Sequence, residues 1–182
     1  FNRRRLDGWT VTRGAPERWG ISNERMRVAT SPRDNTPFIW AGSPAIQMPD
    51  TYELTFDMEF LQIPRDEVGR NAGIMFCAGK ATYRSERLNT GYSLDWIDGG
   101  DDRGLRLYRH DGNGRNTLIS TSGELRAPPA QLRLVIDVEG IKVYGDGELY
   151  ISENDRTYRG GYLGFWASSN SQDVTFDNVS VV

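Results

Sequence analysis

The chain has 182 residues, 37% hydrophobic and 26% charged, with a formal net charge of −3. That balance suits one globular domain and excludes a disordered chain. It argues against nucleic acid as a partner, because neutralising phosphates needs a concentrated basic surface. One cysteine, Cys77, and one histidine, His110, leave no disulfide framework and no thiolate zinc site, and no window approaches the roughly 20 apolar residues of a membrane-spanning helix.

Short strand-like runs recur from end to end. They fall at residues 9–12, 19–22, 26–29, 38–40, 52–62, 72–78, 91–97, 104–109, 116–120, 131–138, 141–144, 148–152, 161–167 and 174–182. Turn residues punctuate them: Asp34-Asn35, the acidic 98–102 stretch, Asp111-Gly-Asn-Gly114, Glu139-Gly140 and Gly145-Asp-Gly147. Many short strands at this spacing predict an all-β, two-sheet antiparallel sandwich, a single domain over residues 1–182. A helical turn is expected only at 83–88. Glu139-Gly140 predicts a two-residue hairpin turn. In the last strand Val174 and Phe176 share one parity and Val179 and Val181 the other, which predicts a bulge at Asp177-Asn178.

Three central runs carry the functional signal: Asn71-Ala-Gly-Ile-Met-Phe-Cys77, Gly91-Tyr-Ser-Leu-Asp-Trp-Ile-Asp98 and Gly104-Leu-Arg-Leu-Tyr-Arg-His110. Each alternates with the two-residue period of a strand covered on one face. Side by side, they turn one face to a core and present Met75, Asp95, Arg106, Tyr108 and His110 to water. Asn71 joins that face from the first run. Trp166 joins it if Leu163 and Phe165 face inward, and Trp40 caps one end from a loop. Such a surface suits a polyhydroxylated ligand: aromatic faces cover C–H patches, and charged side chains take pairs of hydroxyls. The plainer alternatives are a cross-strand Asp95–Arg106 pair and ordinary solvated strand residues at 108 and 110. Trp9, Trp19 and Trp96 read as core, and Cys77 as an inert, partly buried thiol.

The order of the pieces resembles the concanavalin A-like, laminin G-like jelly-roll domains of bacterial carbohydrate-active proteins. Fructan-binding-type carbohydrate-binding modules and 3-keto-disaccharide hydrolase-like domains are the most similar groups. The matching stretches are Leu6-Asp-Gly-Trp9, Trp19-Gly-Ile21, Tyr52-Glu-Leu-Thr-Phe-Asp-Met-Glu-Phe60, Asn71-Ala-Gly-Ile-Met-Phe76, Gly91-Tyr-Ser-Leu-Asp95, Ile141-Lys-Val-Tyr-Gly-Asp-Gly147, Gly161-Tyr-Leu-Gly-Phe165 and Phe176-Asp-Asn-Val-Ser-Val181.

The resemblance implies a non-catalytic carbohydrate-binding module that is secreted, periplasmic or on the cell surface of a bacterium. It would be appended to a larger carbohydrate-active enzyme, with no nucleic-acid partner and no membrane insertion. It also implies a structural calcium held by Asp177, with Asp7 and local carbonyls. The chain departs from the hydrolase-like domains at Cys77 and Ser93-Leu-Asp95, where they carry Arg and Glu-x-Gln. The alternative is a glycoside hydrolase or polysaccharide lyase on the same scaffold. It would use Glu59 with Asp95 or Asp57 with Asp95 as paired carboxylates, or His110 or Tyr108 as a base. A third reading is an adhesion sandwich whose outer face binds protein. The acidic 95–102 loop is read as a solvated turn before a calcium loop, and Asp111–Asn116 as a hairpin turn.

Overall fold

The computed structural model describes residues 10–13, 19–22, 25–29, 38–61, 70–80, 89–98, 103–168 and 173–182; side chains at 10–13, 21–22, 38–46, 70 and 98 are outside this description. The predicted turn at 83–88, the acidic residues at 101–102, Trp9 and Asp7 also lie outside the described residues. Fourteen strands are present among the described residues: β1 (Thr10–Arg13), β2 (Trp19–Ser22), β3 (Arg25–Val28), β4 (Phe38–Met48), β5 (Tyr52–Phe60), β6 (Arg70–Ala78) and β7 (Thr90–Asp98), then β8 (Gly104–Asp111), β9 (Asn116–Thr121), β10 (Gln131–Ile136), β11 (Ile141–Gly145), β12 (Glu148–Glu153), β13 (Gly161–Ser168) and β14 (Val174–Val181). Among the described residues there is no helix.

Two seven-stranded sheets form, in the orders β1-β4-β13-β6-β7-β8-β9 and β12-β11-β10-β5-β14-β3-β2. All pairings are antiparallel. Alternation decides the layering. On β5, Tyr52, Leu54, Phe56 and Met58 are buried while Glu53, Thr55, Asp57 and Glu59 are not. On β7, Tyr92, Leu94 and Trp96 join the same core from the first sheet. Phe165 of β13 closes the sandwich. Its ring lies 5.5 Å from Phe56 and 4.5 Å from Phe176, both on the second sheet. Trp19 and Trp96 are core residues, as expected.

Local chemistry explains the departures from simple ladders. The register of β14 against β5 shifts between Asp177 and Ser180, and Asn178 has φ 50°. The predicted bulge is there, on a residue type that tolerates the left-handed region. The β10–β11 turn is shifted by one residue from its expected place. Asp137 and Gly140 exchange backbone hydrogen bonds, so Val138-Glu139 are the central pair. The reason is Asp137: its Oδ1 accepts the amides of Glu139 (2.7 Å) and Gly140 (3.0 Å), an Asx turn. The β11–β12 turn places Asp146 and Gly147 at φ 51° and 87°, the two positive values of a type I′ hairpin.

Strand β4 runs eight residues further than its sequence suggests. Gly42, Ser43 and Pro44 have low strand propensity. The ladder accommodates them by jumping from Tyr162↔Gln47 to Gly164↔Gly42.

A latch holds the loop after β12. Asp155 accepts from the Tyr92 hydroxyl and from Arg109, and also from the Thr157 amide at 2.9 Å. The Tyr158 amide donates to the Tyr92 oxygen at 3.2 Å. Burial alone would raise the Asp155 carboxyl; the donors of Tyr92, Thr157 and Arg109 outweigh it and hold that group below the usual carboxylate range. Burial, together with the Asp155 hydrogen bond, pushes the Tyr92 hydroxyl up to about 12.

Candidate functional site

Two cross-strand rows run along the middle of the outer face of the first sheet. In one, Trp40, Trp166, Gly73, Asp95, Arg106 and Thr121 are successive register partners across β4, β13, β6, β7, β8 and β9. In the next, Gly164, Met75, Ser93, Tyr108 and Leu118 align in the same way. Partners directly opposite in a sheet share a face. The parity expected for positions 95, 106, 108 and 166 is therefore what the structure has: all four stand opposite the core. Trp40 heads the same row through its backbone, but its side chain lies outside the described residues.

Gly73 shapes the centre of the row. It sits between Trp166 and Asp95, and a Cβ there would lie 2.1 Å from the Leu94 carbonyl oxygen. With no side chain on β6 at this point, the Trp166 indole reaches across. Its Nε1 donates to Asp95 Oδ1 at 3.2 Å. Arg106 stands directly opposite Asp95 and its Nη1 donates to the Tyr108 hydroxyl at 3.5 Å. The row thus fixes an indole, a carboxylate and a guanidinium side by side.

Exposure differs from the expectation. Met75 is fully buried and His110 is 1% exposed, so neither meets water. Met75 packs with Ala78, Trp166 and Tyr162 in a second apolar cluster on this outer side. His110 is enclosed, with Nε2 3.0 Å from Ser93 Oγ. Trp166 and Asp95 are also largely covered, at 5% and 9%. The indole that bonds the carboxylate is itself packed in this cluster, and strand parity does not carry that information. Asn71, Ile97, Arg106, Tyr108 and Tyr162 are partly exposed on this face. Gly73 and Tyr162 escaped the sequence reading as residues of this face. The Gly-Ile-Met-Phe run held a signal for Gly73, since glycine inside a strand marks a close approach.

The paired carboxylates of the hydrolase alternative do not meet. Asp57 and Glu59 alternate with the core residues Phe56 and Met58, so they emerge on the outer face of the second sheet. Asp95 emerges on the outer face of the first. The whole core lies between them, whereas a glycosidase holds its two carboxyls about 5–9.5 Å apart.

Of the residues expected to hold calcium, Asp7 lies outside the described residues and Asp177 is in an ion pair. Arg25 Nε lies 3.4 Å from Asp177 Oδ2 and Arg25 Nη1 pairs with Glu59. A guanidinium already occupies the charge position a cation would take. No group of three metal-ligating side chains forms among the described residues.

Cys77 is buried and its thiol lies 3.4 Å from the Tyr52 hydroxyl. Burial pushes it up to about 11, in keeping with an inert thiol.

No family model matches the chain, and no curated protein sequence matches it. Solved structures do. The carbohydrate-binding module CBM66 from Bacillus subtilis superposes with a TM-score of 0.72 at 15% identity, covering 96% of this chain and 94% of that one. This chain has the concanavalin A-like jelly-roll fold. A legume lectin-like domain from Entamoeba histolytica gives 0.70 at 11% identity, over 97% and 90% of the two chains. The exoplasmic/lumenal domain of VIP36, in a form bound to Ca2+ and mannose, gives 0.69 at 11%, over 93% and 82%. At these identities the jelly-roll sandwich shares architecture with each of them, and the chemistry of its faces is its own.

Proposed function

We propose that this jelly-roll sandwich is a single-domain, non-catalytic carbohydrate-binding module that holds a poly- or oligosaccharide on the outer face of its first sheet. The observation that carries the reading is the row Trp166–Gly73–Asp95–Arg106, which brings an indole, a carboxylate and a guanidinium into adjacent strands of one face. Arg106, Tyr108 and Asn71 supply the accessible polar groups. Behind them, Trp166 holds the Asp95 carboxylate in place beside Arg106. Hydrogen bonds to charged groups contribute about 1.5–3 kcal/mol each, enough for a weak but selective sugar contact. Structural neighbours with carbohydrate-binding, carbohydrate-recognition or lectin-like names support the ligand class. The VIP36 neighbour is an exoplasmic/lumenal domain, which supports a secreted or surface protein. Attachment to a larger carbohydrate-active enzyme follows from the same reading. The separation of Asp57 and Glu59 from Asp95 favours binding over hydrolysis.

Affinity electrophoresis against a panel of soluble polysaccharides tests this. The wild-type chain is expected to be retarded by at least one of them without releasing reducing ends or unsaturated products. Arg106→Ala is expected to abolish retardation while the melting temperature stays within about 2 °C. Retardation unchanged in Arg106→Ala, or product release by the wild type, overturns the reading.

A further inference from the structure

The second sheet carries a groove of its own. It measures about 660 Å³ and lies at the end of the β5–β10 ladder, around the Gln131↔Asp57 pair and the Met58–Ala130 backbone hydrogen bond. Its floor is the outer face of β5 and β14, and its wall is the 126–130 segment with Phe60. A volume of this order is that of a ligand pocket.

The floor is unusual for a sheet. Asp57 and Asp177 are direct register partners, and Glu59 lies one row away opposite Thr175. Like charges directly opposite destabilise a sheet. They are held by two neighbours: Arg25 pairs with Glu59 and with Asp177, and Asn178 Nδ2 donates to Asp57 Oδ2 at 2.6 Å. All three carboxylates line the groove, and each has more acceptor positions than these bonds use. Arg126 and Gln131 line the opposite side, both exposed, and neither side chain makes a hydrogen bond or ion pair among the described residues.

This pattern selects by charge. An anion meets three carboxylates. A cation must displace the Arg25 guanidinium already paired with Glu59 and Asp177. A neutral polyol meets neither penalty: its hydroxyls donate to the carboxylates, its oxygens accept from Arg126 and Gln131, and its C–H faces pack on Phe60 and Pro128. We infer that the groove over Asp57, Glu59 and Asp177 is a second carbohydrate site, taking a short neutral oligosaccharide on the sheet opposite the proposed first site. The inference goes beyond the front-face reading and stands on separate residues. With both sites occupied, the sandwich would bridge two polysaccharide chains.

The test is a nuclear magnetic resonance titration of the full labelled chain with sucrose, kestose, maltotriose and cellotriose, with glucosamine and galacturonic acid as charged controls. At least one neutral sugar is expected to shift amides at 57–59, 126–131 and 175–177. The Arg126→Ala/Gln131→Ala variant, altered only at exposed positions, is expected to weaken those shifts about tenfold or more while keeping its melting temperature. Arg106→Ala is expected to leave them in place. Shifts confined to residues around 93–108, shifts caused only by the charged controls, no shifts with any sugar, or back-face shifts unchanged in the double variant would each overturn the second site. Back-face shifts lost in the double variant while Arg106→Ala alters nothing would uphold the second site and sink the first.

Discussion

Trp166 and Gly73 act as a pair. The indole is an outward residue by parity, yet it is 5% exposed and belongs to an apolar cluster with Met75 and Ala78. Its removal therefore acts on stability as well as on binding. Trp166→Ala is expected to destabilise the chain by roughly 3 kcal/mol, as large-to-small changes at packed aromatics do; urea unfolding reads this directly. Trp166→Phe keeps most of the packing and loses the bond to Asp95, so about 1 kcal/mol is expected from it. Equal losses from the two variants would mean that the hydrogen bond, rather than the packing, holds the ring. Gly73 sets the geometry beneath. The Leu94 carbonyl would be 2.1 Å from any Cβ at this position, so β6 and β7 can approach here only over glycine.

At the level of elements, the loop after β12 is fastened by one carboxylate. Asp155 is held below its ordinary range, so its contribution to stability is fully present above about pH 4, the unfolded carboxylate value, and is lost as the pH falls through the lower folded value. Tyr92 behaves in the opposite sense. Its hydroxyl is raised to about 12, so its contribution is intact below the unfolded value near 10 and is lost as the pH rises through 12. The latch is therefore complete between about pH 4 and pH 10. Asp155→Asn is expected to lower the melting temperature at pH 7 but to lose less than the wild type between pH 7 and pH 3. Parallel curves for the two proteins would remove Asp155 from the acid response. On β14, Asn178 at φ 50° carries the bulge and steadies Asp57. A β-branched residue is strained at this φ, so Asn178→Val is expected to cost about 1–2 kcal/mol, read from the shift in denaturation midpoint.

For the molecule as a whole, Phe165 ties the two sheets together through Phe56 and Phe176. Phe165→Ala is expected to cost about 3–5 kcal/mol and to weaken both outer faces at once. By contrast, Arg106→Ala and the Arg126→Ala/Gln131→Ala variant each touch one face. A calorimetric scan of the three separates loss of the scaffold from loss of a site. The sandwich keeps its two outer faces chemically distinct. Buried apolar cover and a single indole–carboxylate bond mark the first. Paired charges run over the second, where Arg27 meets Asp173 at 2.7 Å, Arg133 meets Glu53 at 3.2 Å, and Arg133 also stacks over Tyr144 at 4.1 Å.

Strand order along the chain, the inward set of Tyr92, Leu94, Trp96, Leu105 and Leu107, and the β14 bulge were all written in the sequence. Each depends on a two-residue period or a local turn preference, and such signals act between near neighbours. The length of β4 was not legible, because pairing with β13 overrides the weak propensity around Pro44. Which outward residues meet water was decided only by tertiary structure. Parity says which side of a sheet a residue leaves from and nothing of what then covers it, so Met75 and His110 became buried while Arg106 stayed accessible. The separation of Asp57 and Glu59 from Asp95 is also tertiary: two strands that look alike in sequence turned out to belong to opposite layers, with the core between them. Periodicity is local and survives in one dimension; burial and proximity are sums over chain segments far apart in sequence, and only the packed sandwich performs that sum.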